Sequence, residues 1–353
     1  MRVSRPKALW STSGARDTPG VCKETDQPVF ICLTLHKMPH GLKILFSAGN
    51  DNSIPMAGRE ETMSKEMSIS DLTRVRFTNL DKIMYPSVHI TKKEVIMYYI
   101  RMAPRMLPFL SDRAVTMHRF PGGIGGEDFY EKDAPQGTPE FVNIFTHYSE
   151  TADREVNFVV CNNLDTLIWL ANLASLEIHI TLSKTGFYES PDLILFDIDP
   201  EPPLGFDDVI DVSFIVREHL EDAGMIAYVK TSGKKGLHIV VPLQGGQQFG
   251  KVREFAHHIG KDIAKDTPHI VSEFPRSRDP GTIFVDYLQN AKGKTMAAPY
   301  SLRGTPSATV SMPLRWDKLK RGVRAEDFNI KTVISEKEEP WSGIFDHKQK
   351  IGN

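Results

Sequence analysis

Asp197 and Asp199 end an apolar run, 193-LILFDID-199. In a strand, residues i and i+2 face the same side, so both carboxylates project together, with Leu193 and Leu195 as the buried stem before them. Adjacent carboxylates repel each other unless a cation sits between them. The pair therefore suits Mg²⁺ or Mn²⁺, hard cations that share oxygen ligands between protein, phosphates and water. Placed before Pro200, the same residues could instead be exposed aspartates in a strand-to-loop turn. Asp286 follows a second apolar run, Ile283, Phe284 and Val285. It is either an edge-strand carboxylate or the third acid that a two-metal phosphoryl-transfer site needs. The second reading requires it to meet Asp197 in space.

Next stands 231-TSGKKGLHIVV-241. A glycine-rich turn between strands lets backbone N–H groups converge on an anion. Lys235 adds charge, Ser232 can donate a hydrogen bond, and His238 opens the return strand within reach of phosphate or ribose. A plain hairpin with solvated lysines has the same make-up. It is not a P-loop, because GxxxxGK[ST] is missing. The stretch 289-QNAKGKTMAAPYSLRG-304 brings amide and cationic groups soon after Asp286. Arg303 could clamp a triphosphate bidentately, or be a surface arginine. His179, in 177-EIHI-180, alternates with apolar neighbours, a pattern more often seen for a packed histidine than for a ligand.

These groups need a scaffold. Apolar spacing predicts helices across Lys92–Phe109, with Thr91 as N-cap, across Asp165–Glu177, and across 207–223 and 249–265. Strands are expected at Val75–Phe77, Val156–Cys161, 193–199, 226–230, 237–243 and 282–288. The fold class is α/β or α+β, with layers around a sheet. One organised domain is expected over 67–335. Residues 1–66 read as a poorly ordered extension with one strand at 29–38, Met63 or Met67 being sensible alternative starts. Residues 336–353 read as a frayed tail.

The 353 residues, 40% hydrophobic and 25% charged, have room for two average domains or one large one with tails. No stretch of about 18 apolar residues exists, so a transmembrane helix is not expected; a secretory h-region is also missing. Three cysteines, Cys22, Cys32 and Cys161, without a CxxC, argue against a disulfide scaffold or a thiolate zinc site and fit a reducing cytoplasm. Net charge is −2, from 43 basic and 45 acidic residues. That balance is neutral on nucleic acid, since only a local basic patch matters.

Taken in order, 197-DID-199, 232-SGKKGLH-238, 284-FVDY-287 and 299-PYSLRG-304 resemble the polymerase domain of bacterial DNA ligase D, within the archaeo-eukaryotic primase superfamily. The flanking 78-TNLDKIMYP-86, 91-TKKEVIMYY-99, 119-RFPGG-123 and 129-FYEK-132 match as well, so the resemblance spans about residues 72–335. It implies a primase fold with an RRM-like catalytic sheet and a flanking N-terminal α/β module. It also implies a nucleotidyltransferase that uses two Mn²⁺ or Mg²⁺ ions in non-homologous end joining and prefers ribonucleotides. By position, Asp197, Asp199 and Asp286 match the metal ligands, and Ser232, Lys235, Gly236 and His238 the nucleotide-binding turn. His179, Gln289 and Arg303 match further nucleotide contacts. Asn79, Lys82 and Lys92 match the grip on a 5′-phosphate. Phe129 and Tyr130 match the aromatic pair near the templating base, where adjacent aromatics suit stacking, although a buried staple under the Gly-rich loop is the alternative.

His118 departs from the pattern, standing where relatives carry lysine, and either Arg276 or Arg278 takes the family's arginine role. Implied partners are 5′-phosphorylated DNA ends, template-primer DNA, NTP or dNTP, and a separate ligase and Ku-like protein; a cytoplasmic, nucleoid-associated setting follows. The competing readings are a replicative primase, a non-catalytic end-binding module and a metal-dependent nuclease. The nuclease would have no need of the triphosphate-suited turn and Arg303.

Overall fold

The computed structural model describes residues 73–149, 152–267, 269–272 and 279–352, together with the backbone of three earlier strands. Those strands, β1 (Phe30–Met38), β2 (Gly41–Ser47) and β3 (Ser64–Ser68), form an antiparallel sheet in the order β2-β1-β3. The single strand expected near 29–38 is thus β1, and it has two partners. Met67 falls within β3; Met63, Arg276 and Arg278 lie outside the described residues.

The chain continues through β4 (Ile83–Tyr85), β5 (Ile90–Thr91), α1 (Lys92–Leu110), β6 (Ala114–Arg119), β7 (Phe129–Glu131), β8 (Asn143–Ser149), β9 (Arg154–Val160), α2 (Leu164–Asn172) and β10 (Ser175–Thr181). It then runs through β11 (Leu193–Pro200), α3 (Phe206–Asp222), β12 (Tyr228–Thr231), β13 (Leu237–Pro242), α4 (Phe249–Asp266), β14 (Ile270–Val271), β15 (Ile283–Asp286), β16 (Thr295–Ala297) and β17 (Pro313–Leu314).

Two six-stranded sheets carry the site. One runs β16-β10-β6-β9-β8, with β7 also paired to β6. The other runs β14-β15-β11-β13-β12-β17. Within it, β11-α3-β12-β13-α4-β15 is a βαββαβ succession of the ferredoxin-like type, matching the RRM-like core expected from the resemblance. Every pairing is antiparallel except β14 with β15. Phe196 and Ile198 are fully buried, while Asp197 and Asp199, on the other face of the strand, are half-buried.

Helix α1 forms as its sequence predicts. Thr91 Oγ1 accepts from the Glu94 N–H, Glu94 returns a bond to the Thr91 N–H, and Val95, Ile96, Tyr99, Ile100 and Met106 are buried. Burying each such aliphatic side chain is worth about 1.5–3 kcal/mol. The hydroxyls of Tyr85, Tyr98 and Tyr99 donate to the carbonyls of Arg303, Tyr300 and Leu176. Three buried phenols thereby tie the Arg303 loop and β10 to α1 and β4.

Three expectations change. The helix across Asp165–Glu177 stops at Asn172, because Ala174 takes a left-handed backbone (φ 59°) and the chain re-emerges as β10. Val75–Phe77 is not a strand: its backbone is held by α2 side chains, with Asn172 bonding the Thr78 N–H and the Arg76 carbonyl. The tail after 335 does not fray. Trp341 and Ile344 are buried in the main core, and Trp341 Nε1 donates to the Val229 carbonyl at 3.0 Å. Fully burying a tryptophan offsets the entropy of ordering the polar segment around it.

Candidate active site

On β11, Asp197 stands directly across from Asp286 on β15 and from His238 on β13. Residues opposite one another in an antiparallel pair share a face, so the register brings all three side chains to one side. Asp286 titrates above the ordinary carboxylate range, pushed up by burial and then by the charge of Asp197. The Leu288 N–H (2.7 Å) and Gln289 Nε2 (3.2 Å) donate to its carboxylate and oppose that rise. His238 Nε2 lies 3.2 Å from Asp197 Oδ1. Asp199 is one pleat further on, against Gly236. A Cβ on Gly236 would fall 2.5 Å from Asp199 Oδ1 and 2.2 Å from the Ile198 carbonyl oxygen, so only glycine lets the turn close over the strand end.

Beside this row, between the two sheets, lies a cavity of about 790 Å³, a volume suited to a nucleotide-sized ligand. Asp197, Asp199, Ser232, Lys235 and His238 line it from the sheet that holds β11, and His179 and Tyr130 from the other. Gln289 and Arg303 complete it from the loops that follow. The turn itself differs from expectation: the N–H groups of Lys234 and Gly236 both donate to Ser232 Oγ (3.2 Å each) rather than facing outward. Ser232 thus builds the turn and keeps its own O–H to give. Lys235 rests on Glu201 (3.3 Å) and the Pro200 carbonyl at the rim.

The stop of α2 at Asn172 places Glu177 and His179 on the same face of β10, two residues apart. Fully buried Glu177 is a hub. Its Oε2 lies 2.9 Å from His179 Nε2, 3.4 Å from His118 Nδ1 and 3.2 Å from Arg303 Nε. Its Oε1 accepts from the Gly304 N–H (2.8 Å) and lies 3.4 Å from Lys234 Nζ. Burial alone would raise this carboxyl, but His118, His179 and Arg303 hold it far below the usual range. His179 is lowered to about 4, chiefly by burial, so it is neutral and donates its Nε2 hydrogen to Glu177. Arg303, aimed by Glu177 and bonded through Nη1 to the Ser232 carbonyl, is fixed at the cavity wall.

His118 reaches Asp128 Oδ1 at 2.8 Å through Nε2 while Nδ1 faces Glu177. Burial acts to lower it, but the two carboxylates prevail and raise it above the ordinary histidine value. The shift favours the charged form at the position where the family resemblance implies lysine. His118 stacks on Tyr130, with ring centroids 3.9 Å apart and planes 15° from parallel. Phe129 lies under the Arg119 guanidinium at 5.3 Å. Both aromatics are exposed, which excludes the buried staple considered for them.

Asn79, Lys82 and Lys92 sit together, away from this cavity. Lys92 is lowered to about 8, first by burial and then by repulsion from Lys82 and Arg119. The cluster is therefore a concentration of positive charge. Lys92 Nζ donates to the Thr78 carbonyl (2.7 Å), and Lys82 Nζ to the Pro121 carbonyl. The start of α1 offers fewer free donors than its sequence suggests. The Thr91–Glu94 box takes one N–H, while Lys92 and Lys93 N–H go to the carbonyls of Lys82 and Leu80.

Two sets of side chains could hold a cation. Among the described residues, His118, Glu177 and His179 place ligand atoms within 4.8 Å of one another. The cationic surroundings of Glu177, Arg303 and Lys234 make that group a poor host for a further positive charge. Asp197, Asp199 and Asp286 do not draw so close together, as like charges on opposed strands would dictate, but they offer only oxygen donors, the chemistry Mg²⁺ and Mn²⁺ require. Sequence reasoning missed Glu177, concealed by the over-extended helix, and Asn290. The Asn290 amide bonds the N–H and carbonyl of Leu195, at 2.9 and 2.6 Å, pinning the Gln289 loop to β11. Lys132, Lys234 and Lys294 also line the cavity. The density of lysine in 289–304 and in the glycine turn was the signal for the last two.

The family model described as LigD, primase-polymerase domain, matches residues 91–341. The chain is 32% identical over 275 residues to the bifunctional non-homologous end joining protein LigD of Bacillus subtilis, covering 77% of this chain and 44% of that protein. It is 34% identical over 251 residues to the multifunctional non-homologous end joining protein LigD of Mycolicibacterium smegmatis, covering 70% and 32% respectively. The chain thus spans less than half the length of these curated relatives. The solved polymerase domain from Mycobacterium tuberculosis ligase D in complex with DNA superposes with a TM-score of 0.69 at 28% identity, over 74% of this chain and 93% of that one. With the family match extending from the start of α1 through Trp341, and the aspartate row inside it, the chain belongs to the LigD primase-polymerase domain family.

Proposed function

We propose that this protein is a metal-dependent nucleotidyltransferase that adds nucleotides, as a template directs, to a 3′-hydroxyl when gaps and ends are filled during non-homologous end joining. One observation carries the proposal: Asp286 on β15 meets Asp197 on β11, and Asp197 lines a nucleotide-sized cavity. The names of the LigD relatives and the DNA-bound structural neighbour support it.

Asp197, Asp199 and Asp286 would hold two divalent cations, Mn²⁺ or Mg²⁺. Such ions lower the pKa of an attacking hydroxyl and neutralise triphosphate charge. Glu177 aims the Arg303 guanidinium at the phosphates, where charge develops on the leaving pyrophosphate. Lys235 and Lys234 add charge at the rim, and the Ser232 hydroxyl donates from the Gly236 turn. His179 and His238 contact the incoming nucleotide, with Gln289 bridging from Asp286. Tyr130, stacked on His118, and Phe129 present aromatic faces to the templating base.

The Asn79, Lys82 and Lys92 cluster binds the 5′-phosphate of a gapped end, by lysine charge more than by helix donors. This pocket favours end repair over priming de novo. Ribonucleotide preference, a separate ligase and Ku-like partner, and a cytoplasmic, nucleoid-associated setting belong to the same reading. Among the described residues no helix is long and apolar enough to cross a membrane. Incubation with gapped template-primer DNA, Mn²⁺ and labelled nucleotides tests the reading. Wild type extends the primer, and Asp197→Ala abolishes extension while still binding DNA ends. Normal extension by that variant would end the assignment.

A further inference from the structure

Lys230 is a lysine with no exposed surface, and the catalytic assignment above makes no use of it. It lies opposite His238 on β12 and β13, just as His238 lies opposite Asp197 and Asp197 opposite Asp286. Lys230, His238, Asp197 and Asp286 therefore form one row across four strands, on one face of the sheet. Lys230 Nζ sits 2.8 Å from His238 Nδ1, and His238 Nε2 sits 3.2 Å from Asp197 Oδ1. Lys230 also bonds Ser311 Oγ, whose own hydrogen goes to the Thr231 carbonyl at 3.0 Å.

The donors and acceptors of this row allow one arrangement. An ionised Asp197 only accepts, so the ring nitrogen facing it must carry a hydrogen. A lysine ammonium carries three hydrogens and no lone pair, so Lys230, 2.8 Å from Nδ1, can only donate to it. Nδ1 is then a bare acceptor in a buried place and needs a donor. Lys230 is that donor. Ser311 can only accept from Lys230, so two of the ammonium hydrogens are committed, one to Ser311 and one to His238.

We propose that Lys230 is a positioning residue for the carboxylate row: by donating to His238 Nδ1 it fixes the imidazole in its Nε2–H form and directs that hydrogen at Asp197. It does not line the cavity and acts only through His238. The role rests on the proposed function of Asp197 as a metal ligand. Outer partners that orient a ligand typically change metal affinity or activity by 10–100-fold when removed.

The test uses the full chain with ¹⁵N-labelled histidine, without metal or nucleotide, the His238 signals being assigned by their loss in His238→Gln. Wild type is expected to show His238 as a single Nε2–H tautomer. Lys230→Met, close to lysine in length, is expected to show mixed tautomers, about tenfold weaker Mn²⁺ binding and about tenfold lower kcat, with nucleotide KM within about twofold of wild type. A wild-type Nδ1–H tautomer overturns the proposal, and so does Lys230→Met that keeps pure Nε2–H with unchanged Mn²⁺ binding. The wild-type spectrum decides alone if Lys230→Met fails to fold. Because the tautomer is read without catalysis, its failure is distinct from failure of the polymerase reading, which Asp197→Ala tests.

Discussion

Asp197 and Asp286 face one another as register partners in the antiparallel pairing of β11 with β15. The pairing joins two parts of the chain that lie far apart in sequence, and burial, then the charge of Asp197, raises the titration of Asp286. A fold governed by stability alone has little reason to oppose two carboxylates in a half-buried row. A cation-binding function supplies that reason.

Gly236→Ala tests how tightly the turn closes over Asp199. The added methyl would stand 2.2 Å from the Ile198 carbonyl oxygen, which is backbone and cannot swing aside. The variant should lose about 1–3 kcal/mol of stability and most of its nucleotide addition. Denaturant titration beside an extension assay checks both; wild-type values in the two would mean that the close approach is of no consequence.

Lys92 links the proposed 5′-phosphate pocket to pH. Its value of about 8 lies below that of a free lysine, so the charged form is disfavoured in the folded protein. That cost to stability is present below about pH 8 and fades as pH climbs toward the ordinary lysine value. A bound phosphate favours the charged form, so binding takes up a proton and weakens as pH rises past about 8. Affinity for gapped DNA with a 5′-phosphate, measured from pH 7 to 9 at constant salt, should fall. Lys92→Met should flatten the curve and cost about tenfold at pH 7, the worth of one charge-assisted bond. Equal affinities with and without the 5′-phosphate would remove the pocket.

For His118 the sign is opposite. Its folded value lies above that of an unfolded histidine. The stability it contributes is complete below the unfolded value, near 6.5, and is lost as pH rises through the folded one. Melting temperatures of wild type and His118→Gln should therefore differ most in mildly acidic buffer and converge in alkaline buffer. A gap that stays constant with pH would show that His118 is not the cation between Asp128 and Glu177.

Much of this was legible in the sequence because strand periodicity is local. Asp197 and Asp199 share a face by alternation, and Thr91 caps α1 through a bond three residues away. The Asp197–Asp286 register was not legible, since long-range pairing is decided by packing. Glu177 was missed for a definite reason: Leu173 and Leu176 continue the helical spacing past Asn172, and the turn that ends it is made by Ala174, which is not a usual helix breaker. The docked tail was missed because its anchors, Trp341 and Ile344, are scattered within a polar run.

The most direct measurement compares Mn²⁺-dependent extension of gapped template-primer DNA by wild type and by Asp286→Asn, with DNA binding followed in parallel. The substitution keeps an oxygen for the Leu288 N–H and removes only the charge. Extension is predicted to fall on the order of 10³-fold with DNA binding preserved. Extension within a few-fold of wild type would contradict the account.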